Sequence, residues 1–525
     1  MTALSFQESD YGMAGDDDVV VGAPGFGGTE AEVAAATTMA TPAAHPQFRG
    51  WCLTEQGEQH LGVVQPVSLH HHDEYGHHRR YARPRPVPFP ADWLRESLAP
   101  RAPSTAVTVM SYNILAARYM STDFYPHCPI HALAEDYRLR CVLAEVAQAD
   151  PDIVVFQELS VGAFASIQFG DVLRQVHSYD GFHVPVTPLP KHRSSGSSSD
   201  VRSSTDSTAV RPEYEGVGIF FKRDRFMCIE QLPIRFNQIA EADRSMPAAE
   251  KAAVLTSSHN VALILALRDR FATPGAPSAY VVGGIHAFYD ASKPECQVWQ
   301  VAALARRMEE VKSMLDDEAA MAAGNGSPTT SGPTSPSPLA STTATIIGGD
   351  FNAELHSCSL QYLLSGSTVA CPPASEFACT RSMPSHSLGR LRSAYGDFLN
   401  RFDPNAFTFV EKESLVAGID HLLFDDEVLA CVAVSLVGSL ESASHAQGSG
   451  EDPARYATQQ PLLNGSCDAG EMALRHDGGR RYDQLPPSDA TTATTTFHPI
   501  PDVSSPSDHY PVCACFVPRA AAQRR

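Results

Sequence analysis

In the run TIIGGDFN, Asp350 and Asn352 stand two residues apart. In an extended backbone that spacing sends both side chains to one face while Phe351 points the other way. Similar polar residues recur where other apolar runs end. Asn113 closes VTVMSYN, Glu158 closes IVVFQE, His286 follows YVVGGI, Asp420 stands inside AGIDHLLF, and Asp508-His509 precedes YPVCACF. Strand ends meet on the rim of a sheet, so these side chains could share one cleft. Carboxylates, amides and imidazoles without thiolates make a hard, oxygen-rich site suited to magnesium, or manganese in its place, rather than zinc. Taken singly, each has an ordinary reading: a strand-end Glu or an Asp-His pair caps a turn or faces water, His286 is a satisfied core histidine, and Asn113 is a turn residue.

The elements that would position them alternate in type. AVTVMSYNIL, DIVVFQE, EGVGIFFK, HNVALILAL, AYVVGGIHAF, ATIIGGDFN, AGIDHLLF and YPVCACFV read as short strands, several of them nearly all apolar. Between them, YRLRCVLAEVAQ places Leu139, Val142, Leu143, Val146 and Ala147 at helical spacing, and CQVWQVAALARRMEEVKSML does so with Val301, Leu304, Ala305 and Met308. Buried strands interleaved with amphipathic helices predict a layered α/β domain.

Residues 1–95 mix acidic, Gly/Ala and Pro-rich pieces and read as a largely disordered or loosely docked extension; 96–520 read as one catalytic domain. Ser/Thr/Gly/Pro-rich stretches at about 192–212, 323–345 and 438–497 read as loops grown out of that domain. The His-rich stretch His70 to His78 lies in the extension and reads as a weak, adventitious metal binder.

The 525 residues are 43% hydrophobic, and no run reaches the roughly 18 apolar residues of a membrane span, so no membrane partner is expected. The N-terminus lacks a basic-then-apolar leader, which predicts a cytoplasmic or nuclear protein. Twelve cysteines without a CxxC pair read as reduced, mostly buried thiols. A net charge of -21 argues against tight, sequence-independent binding of long nucleic acid, though bound cations can still neutralise an active site.

The ordered series SYNILA, FQEL, IHAFYD, GGDFN, IDHLLF and PSDHYPV resembles the endonuclease/exonuclease/phosphatase superfamily. Within it, HCPIHALAEDYRLR and EGVGIFFKRDRF followed by IRFNQ resemble the carbon catabolite repression deadenylases and their angel and nocturnin relatives, over roughly residues 105–518. The resemblance implies a DNase-like, four-layered α/β sandwich of two central mixed sheets flanked by helices. It implies a magnesium-dependent 3′-to-5′ exoribonuclease acting on RNA 3′ ends, most of all poly(A), in mRNA turnover. Glu158, with Asn113 and Asp508, would hold metal. Asp350 would position or deprotonate water, Asn352 would bond the transition state, and His509, oriented by Asp420, would face the scissile phosphate beside His286. No leucine-rich repeat for a deadenylase scaffold is seen, and protein partners are left open.

The expected substrate contacts are Lys222, Arg235, Asn260 and Phe409, with Arg223 and Arg225 extending a basic track for the RNA backbone. Two positions depart from the deadenylase pattern: Ala291 and Leu415 fall where a proline and a phenylalanine sandwich the terminal adenine, and Phe407 or Phe409 could substitute. The family's Asn-Thr-His becomes Gly284-Ile285-His286. Other readings are a phosphatase acting on NADP, a 2′-phosphate or a cyclic-phosphate end, a sphingomyelinase or inositol phosphatase, and a catalytically silent RNA-binding scaffold.

Overall fold

The computed structural model describes residues 21–22, 50–63, 88–98, 105–186, 214–244, 246–248, 251–252, 254, 260–290, 293–324, 343–367, 384–396, 406–411, 415–439, 480–481, 500–502 and 505–519. Two sheets pack face to face. The first runs, in spatial order, β1 (Val21–Gly22), β5 (Tyr179–Pro185), β6 (Glu215–Lys222), β4 (Ile153–Ser160), β3 (Val107–Asn113), β19 (Val512–Pro518), β16 (Leu429–Ser435) and β2 (Trp51–Leu53). The second runs β11 (Leu391–Ser393), β15 (Asp420–Asp425), β10 (Thr343–Asp350), β9 (Ala279–His286), β8 (Val261–Asp269) and β7 (Phe226–Arg235). Short ribbons join β12 (Ala406–Phe407) to β17 (Gly438–Ser439), and β13 (Phe409–Glu411) to β14 (Leu415–Ala417) and β18 (Arg480–Arg481).

Both sheets are mixed. β3 and β4 are parallel, as are β9 and β10, while β6 runs against β4, β15 against β10 and β19 against β3. The ends of β3, β4, β9 and β10 therefore lie at the same edge as the beginnings of β6, β15 and β19. Val109, Val155 and Ile219 of the first sheet and Leu263, Val282 and Ile346 of the second fill the space between them. The glycine pair of YVVGGI permits close approach on both faces: a Cβ on Gly284 would lie 2.8 Å from Val155 Cγ1 of the first sheet, and one on Gly283 would lie 2.6 Å from Met308 Sδ of the outer helix Pro294–Gly324.

Helices cover the outer faces and complete the four layers expected. Helix Pro294–Gly324 buries Val301, Leu304, Ala305 and Met308 against the second sheet, the stripe its spacing predicts. Helix Glu135–Ala149 buries Leu139, Val142, Val146 and Ala149 on the first. Leu143 is only partly buried and Ala147 is exposed, so that stripe is narrower than predicted and displaced by two residues at its end.

Within residues 1–95, read from composition as a largely disordered or loosely docked extension, a short piece is part of the fold. Trp51, Cys52 and Leu53 pair with β16 and are 1% exposed or less. Thr54 caps helix Glu55–Leu61 by accepting from Gly57 N–H, and Gly57 sits so close to Val432 that a Cβ there would overlap its carbonyl. A three-residue strand is too short to show a period, which is why composition alone read it as tail. The described residues 50–63 and 88–98 therefore belong to or flank the domain. His70 to His78 and most of the three low-complexity stretches lie outside the described residues.

Candidate active site

Glu158 owes its position to an irregularity. The pairing of β4 with β6 slips between Gln157 and Leu159, and Glu158 takes a left-handed backbone, φ 59°. Such a bulge lifts one residue out of the ladder and re-aims its side chain, and a non-glycine residue in this conformation is held by its surroundings. Its Oε2 accepts from Ala116 N–H at 2.8 Å, and its Oε1 accepts from Asn113 Nδ2 at 3.0 Å. Asn113 Nδ2 also donates to Asp350 Oδ2 at 3.0 Å, so one amide joins carboxylates from the two sheets. Asn113 Oδ1 accepts from Leu115 N–H.

Asp350 ends β10, directly beside His286 at the end of β9 and Asp420 at the start of β15. Its Oδ1 accepts from Asn352 N–H at 2.8 Å, and its Oδ2 lies 3.7 Å from His286 Nε2 and 3.8 Å from His509 Nε2. Asn352, also left-handed at φ 49°, donates its Nδ2 to Ala287 O. His509 donates from Nδ1 to Asp420 Oδ2 at 2.9 Å, which leaves Nε2 pointing at Asp350 and, 3.8 Å away, at Asp508 Oδ1. Burial alone would lower the His509 pKa; Asp420, with Asp350 and Asp508, more than reverses this and pushes it up to about 10. Asp508, buried first of all and also facing Glu158, is pushed up to about 6.

Four carboxylates, Glu158, Asp350, Asp420 and Asp508, thus share a buried space with the His509 imidazole. Asp420 Oδ1 and Asp508 Oδ1 are buried without a hydrogen-bond partner. Buried anions in that excess call for a cation, and unpartnered oxygens with no thiolate among them suit a hard divalent one. Asp350, Asp420 and His509 offer ligand atoms within 4.8 Å of one another. His509 Nδ1 and Asp420 Oδ2 are committed to each other, so a cation would be held by Asp508 and Asp420 through their unpartnered oxygens, with Glu158 and Asp350 beside them.

Sequence reading missed the groups that hold this cluster. Ser507 Oγ donates to Asn113 O and accepts from His509 N–H, tying β3 to the loop before β19. Tyr125 OH donates to Asp508 Oδ2 at 2.8 Å. Arg138, 2% exposed, donates to the carbonyls of Ile114, Leu115 and Pro506, clamping the turn after β3 to the loop before His509. Arg138→Met should strand those three carbonyls and lower unfolding stability by about 3–5 kcal/mol, read from the urea midpoint. An arginine inside an amphipathic helix gives no signal of this role on its own.

Of the substrate contacts expected, Lys222 is not at the site. Its Nζ donates to His177 O, pairs with Asp150 at 2.9 Å and sits over the Tyr179 ring. β6 is antiparallel to β4, so its last residue lies beside Asp152, six residues or roughly 20 Å along the strand from Glu158. Arg223 and Arg225 share that far end, where Arg225 bonds Asp152, Asp269 and Ala106 O. Arg235 does end at the site edge, buried, donating to Pro185 O. Asn260 donates to Ala287 O, the carbonyl Asn352 also uses, and so supports the turn after His286. Phe409 is 8% exposed and packs on the His509 ring, centroids 4.7 Å apart, while Phe407 lies in the core against Tyr510. Phe409 is therefore a wall for the imidazole rather than an open stacking face. Ala291 and the Leu415 side chain lie outside the described residues.

The model of the Endonuclease/Exonuclease/phosphatase family matches residues 110–509, from within β3 to His509. The chain belongs to this family. Among its relatives, the CCR4-NOT transcription complex subunit 6-like protein of Danio rerio is 27% identical over 270 residues, 50% of this chain and 43% of that protein. The Carbon catabolite repressor protein 4 homolog 1 of Arabidopsis thaliana is 29% identical over 218 residues, 40% of this chain and 33% of that protein. The chain therefore spans less than half the length of these curated relatives. A crystal structure of ANGEL2, a 2′,3′-cyclic phosphatase, superposes over 78% of this chain and 95% of its own, with TM-score 0.48 and 16% identity.

Proposed function

We propose that this family member is a magnesium-dependent 3′-to-5′ exoribonuclease that shortens poly(A) tails of mRNA, in the cytoplasm or nucleus. The observation that carries the chemistry is the His509–Asp420 pair facing Asp350, with Asn113 bridging Asp350 to Glu158, all buried at one sheet edge. A magnesium ion, held by Asp508 and Asp420 with Glu158 and Asp350 beside them, would supply Lewis-acid polarisation of a phosphoryl oxygen and a more acidic bound water. The chain's own groups do the rest. Asp350 Oδ2 accepts a proton from, or orients, the attacking water. His509, kept cationic by Asp420, offers Nε2–H to a phosphate oxygen as charge builds there, and His286 offers a second imidazole on the same side.

A silent scaffold fits this geometry poorly, because a cluster of buried like charges is destabilising and serves no purpose in mere binding. The poly(A) reading is supported by the deadenylase-like segments and by the curated relatives, over the shared half of the chain. A 5′-labelled RNA with an oligo(A) tail, compared with one bearing oligo(U), should be shortened stepwise and faster, with Glu158→Ala inactive on both. Equal shortening would remove the adenine preference. No shortening, with turnover of NADP or of a cyclic-phosphate end, would transfer the same site to phosphatase chemistry.

A further inference from the structure

Glu215 begins β6 at the site edge and plays no part in the cluster described above. Its side chain is 6% exposed. Oε1 takes the Arg118 guanidinium, whereas Oε2 is buried with no hydrogen-bond partner. It pairs with Ser160, two residues beyond Glu158 on the neighbouring strand β4, which puts it at the edge where the residues assigned to the scissile phosphate gather. Arg118, 45% exposed, lies in the turn Ala117–Tyr119 directly after Ala116, the residue whose N–H holds Glu158. Its guanidinium also donates to Tyr119 OH at 2.5 Å and lies 4.7 Å over that ring.

A desolvated carboxylate oxygen without a partner is unfavourable unless something completes it. A phosphate oxygen cannot, being an acceptor of like charge. A cation is less suited than at Asp508, since Arg118 already balances the Glu215 charge. What remains is a neutral donor, and the part of a nucleic acid adjoining the scissile phosphate is the sugar. We propose that Glu215 Oε2 accepts a hydrogen bond from the ribose 2′-hydroxyl of the nucleotide at the scissile phosphate. Arg118 is a positioning residue that holds Glu215 by its other oxygen, and the pair makes the site select ribose over deoxyribose. This deepens the exoribonuclease reading and rests on it for the placement of the phosphate; the 2′-hydroxyl is the group by which proteins distinguish RNA from DNA.

The test pairs two measurements on the full chain with magnesium: hydrolysis of matched RNA and DNA oligo(A), and calorimetric binding of AMP and 2′-deoxy-AMP. The native protein should favour the ribose member about ten- to a hundredfold, the range of one hydrogen bond to a charged group. Glu215→Ala should collapse that ratio by lowering the RNA rate far more than the DNA rate. Should that variant fail to fold, Glu215→Gln keeps the shape and a weaker neutral acceptor, and should lower the ratio in part. Arg118→Lys should preserve more of the ratio than Arg118→Ala. Equal handling of ribose and deoxyribose by the native protein, or an equal fall on both in the Glu215 variants, overturns the assignment. Absence of turnover on any polymer would count against the exoribonuclease reading alone. AMP binding more tightly than 2′-deoxy-AMP, with the difference reduced in Glu215→Gln, would still uphold the ribose contact, and equal binding by the native protein would overturn it.

Discussion

Asp350→Asn is expected to lower phosphodiester hydrolysis by about 10²- to 10⁴-fold, the span of a positioned general base, while the protein stays folded. Asp350 is 2% exposed and lies against Asn113, Asn352, His286 and His509. The asparagine retains an acceptor for Asn352 N–H and loses the charge. Because that charge is one of three facing the His509 imidazole, its loss relieves repulsion and offsets the weakened hydrogen bonds. Melting in EDTA should therefore stay near the native value, and single-turnover rates should carry the whole effect.

Asp420→Asn should be comparably severe and should differ in its pH dependence. His509 is held up at about 10 by Asp420 at 2.9 Å, with help from Asp350 and Asp508, against a burial effect that lowers it. Removing Asp420 lets burial dominate, so the imidazole loses its proton at a much lower pH. The alkaline limb of the rate profile should move to lower pH, with about a hundredfold loss at neutral pH. Stability follows the same linkage. A histidine whose folded pKa exceeds its unfolded value of about 6.5 contributes stability that is full below pH 6.5 and gone once pH passes the folded pKa. In EDTA the native protein should lose melting temperature between pH 7 and about pH 10 through this residue. Asp420→Asn should lack that decline.

What the chain disclosed about itself follows from strand direction. Asn113, Glu158, His286 and Asp350 close parallel strands, and polar residues that follow apolar runs stand out, so these were legible from order and type alone. The basic track expected at Lys222 and Arg225 falls elsewhere, because β6 is antiparallel to β4 and its end lies at the opposite edge. The converse hid Glu215, which opens that strand as the first residue of EGVGIFFK and so reads as unremarkable. Arg138, Ser507 and Tyr125 were illegible for a different reason: their partners are backbone carbonyls or carboxylates that lie far off in sequence, up to 394 residues for Ser507. Trp51–Leu53 escaped because a three-residue edge strand carries no period, although burial makes it part of the core.

The most direct test of the site is hydrolysis of an adenylate oligonucleotide by EDTA-stripped protein as magnesium is added back, alongside Glu158→Ala. Turnover should be absent without the ion, return along a saturable curve, and stay at least about a hundredfold lower in the variant. Turnover that persists in EDTA, or returns equally in Glu158→Ala, would contradict a cation-assisted centre built on Asp508 and Asp420 with Glu158 and Asp350 beside them.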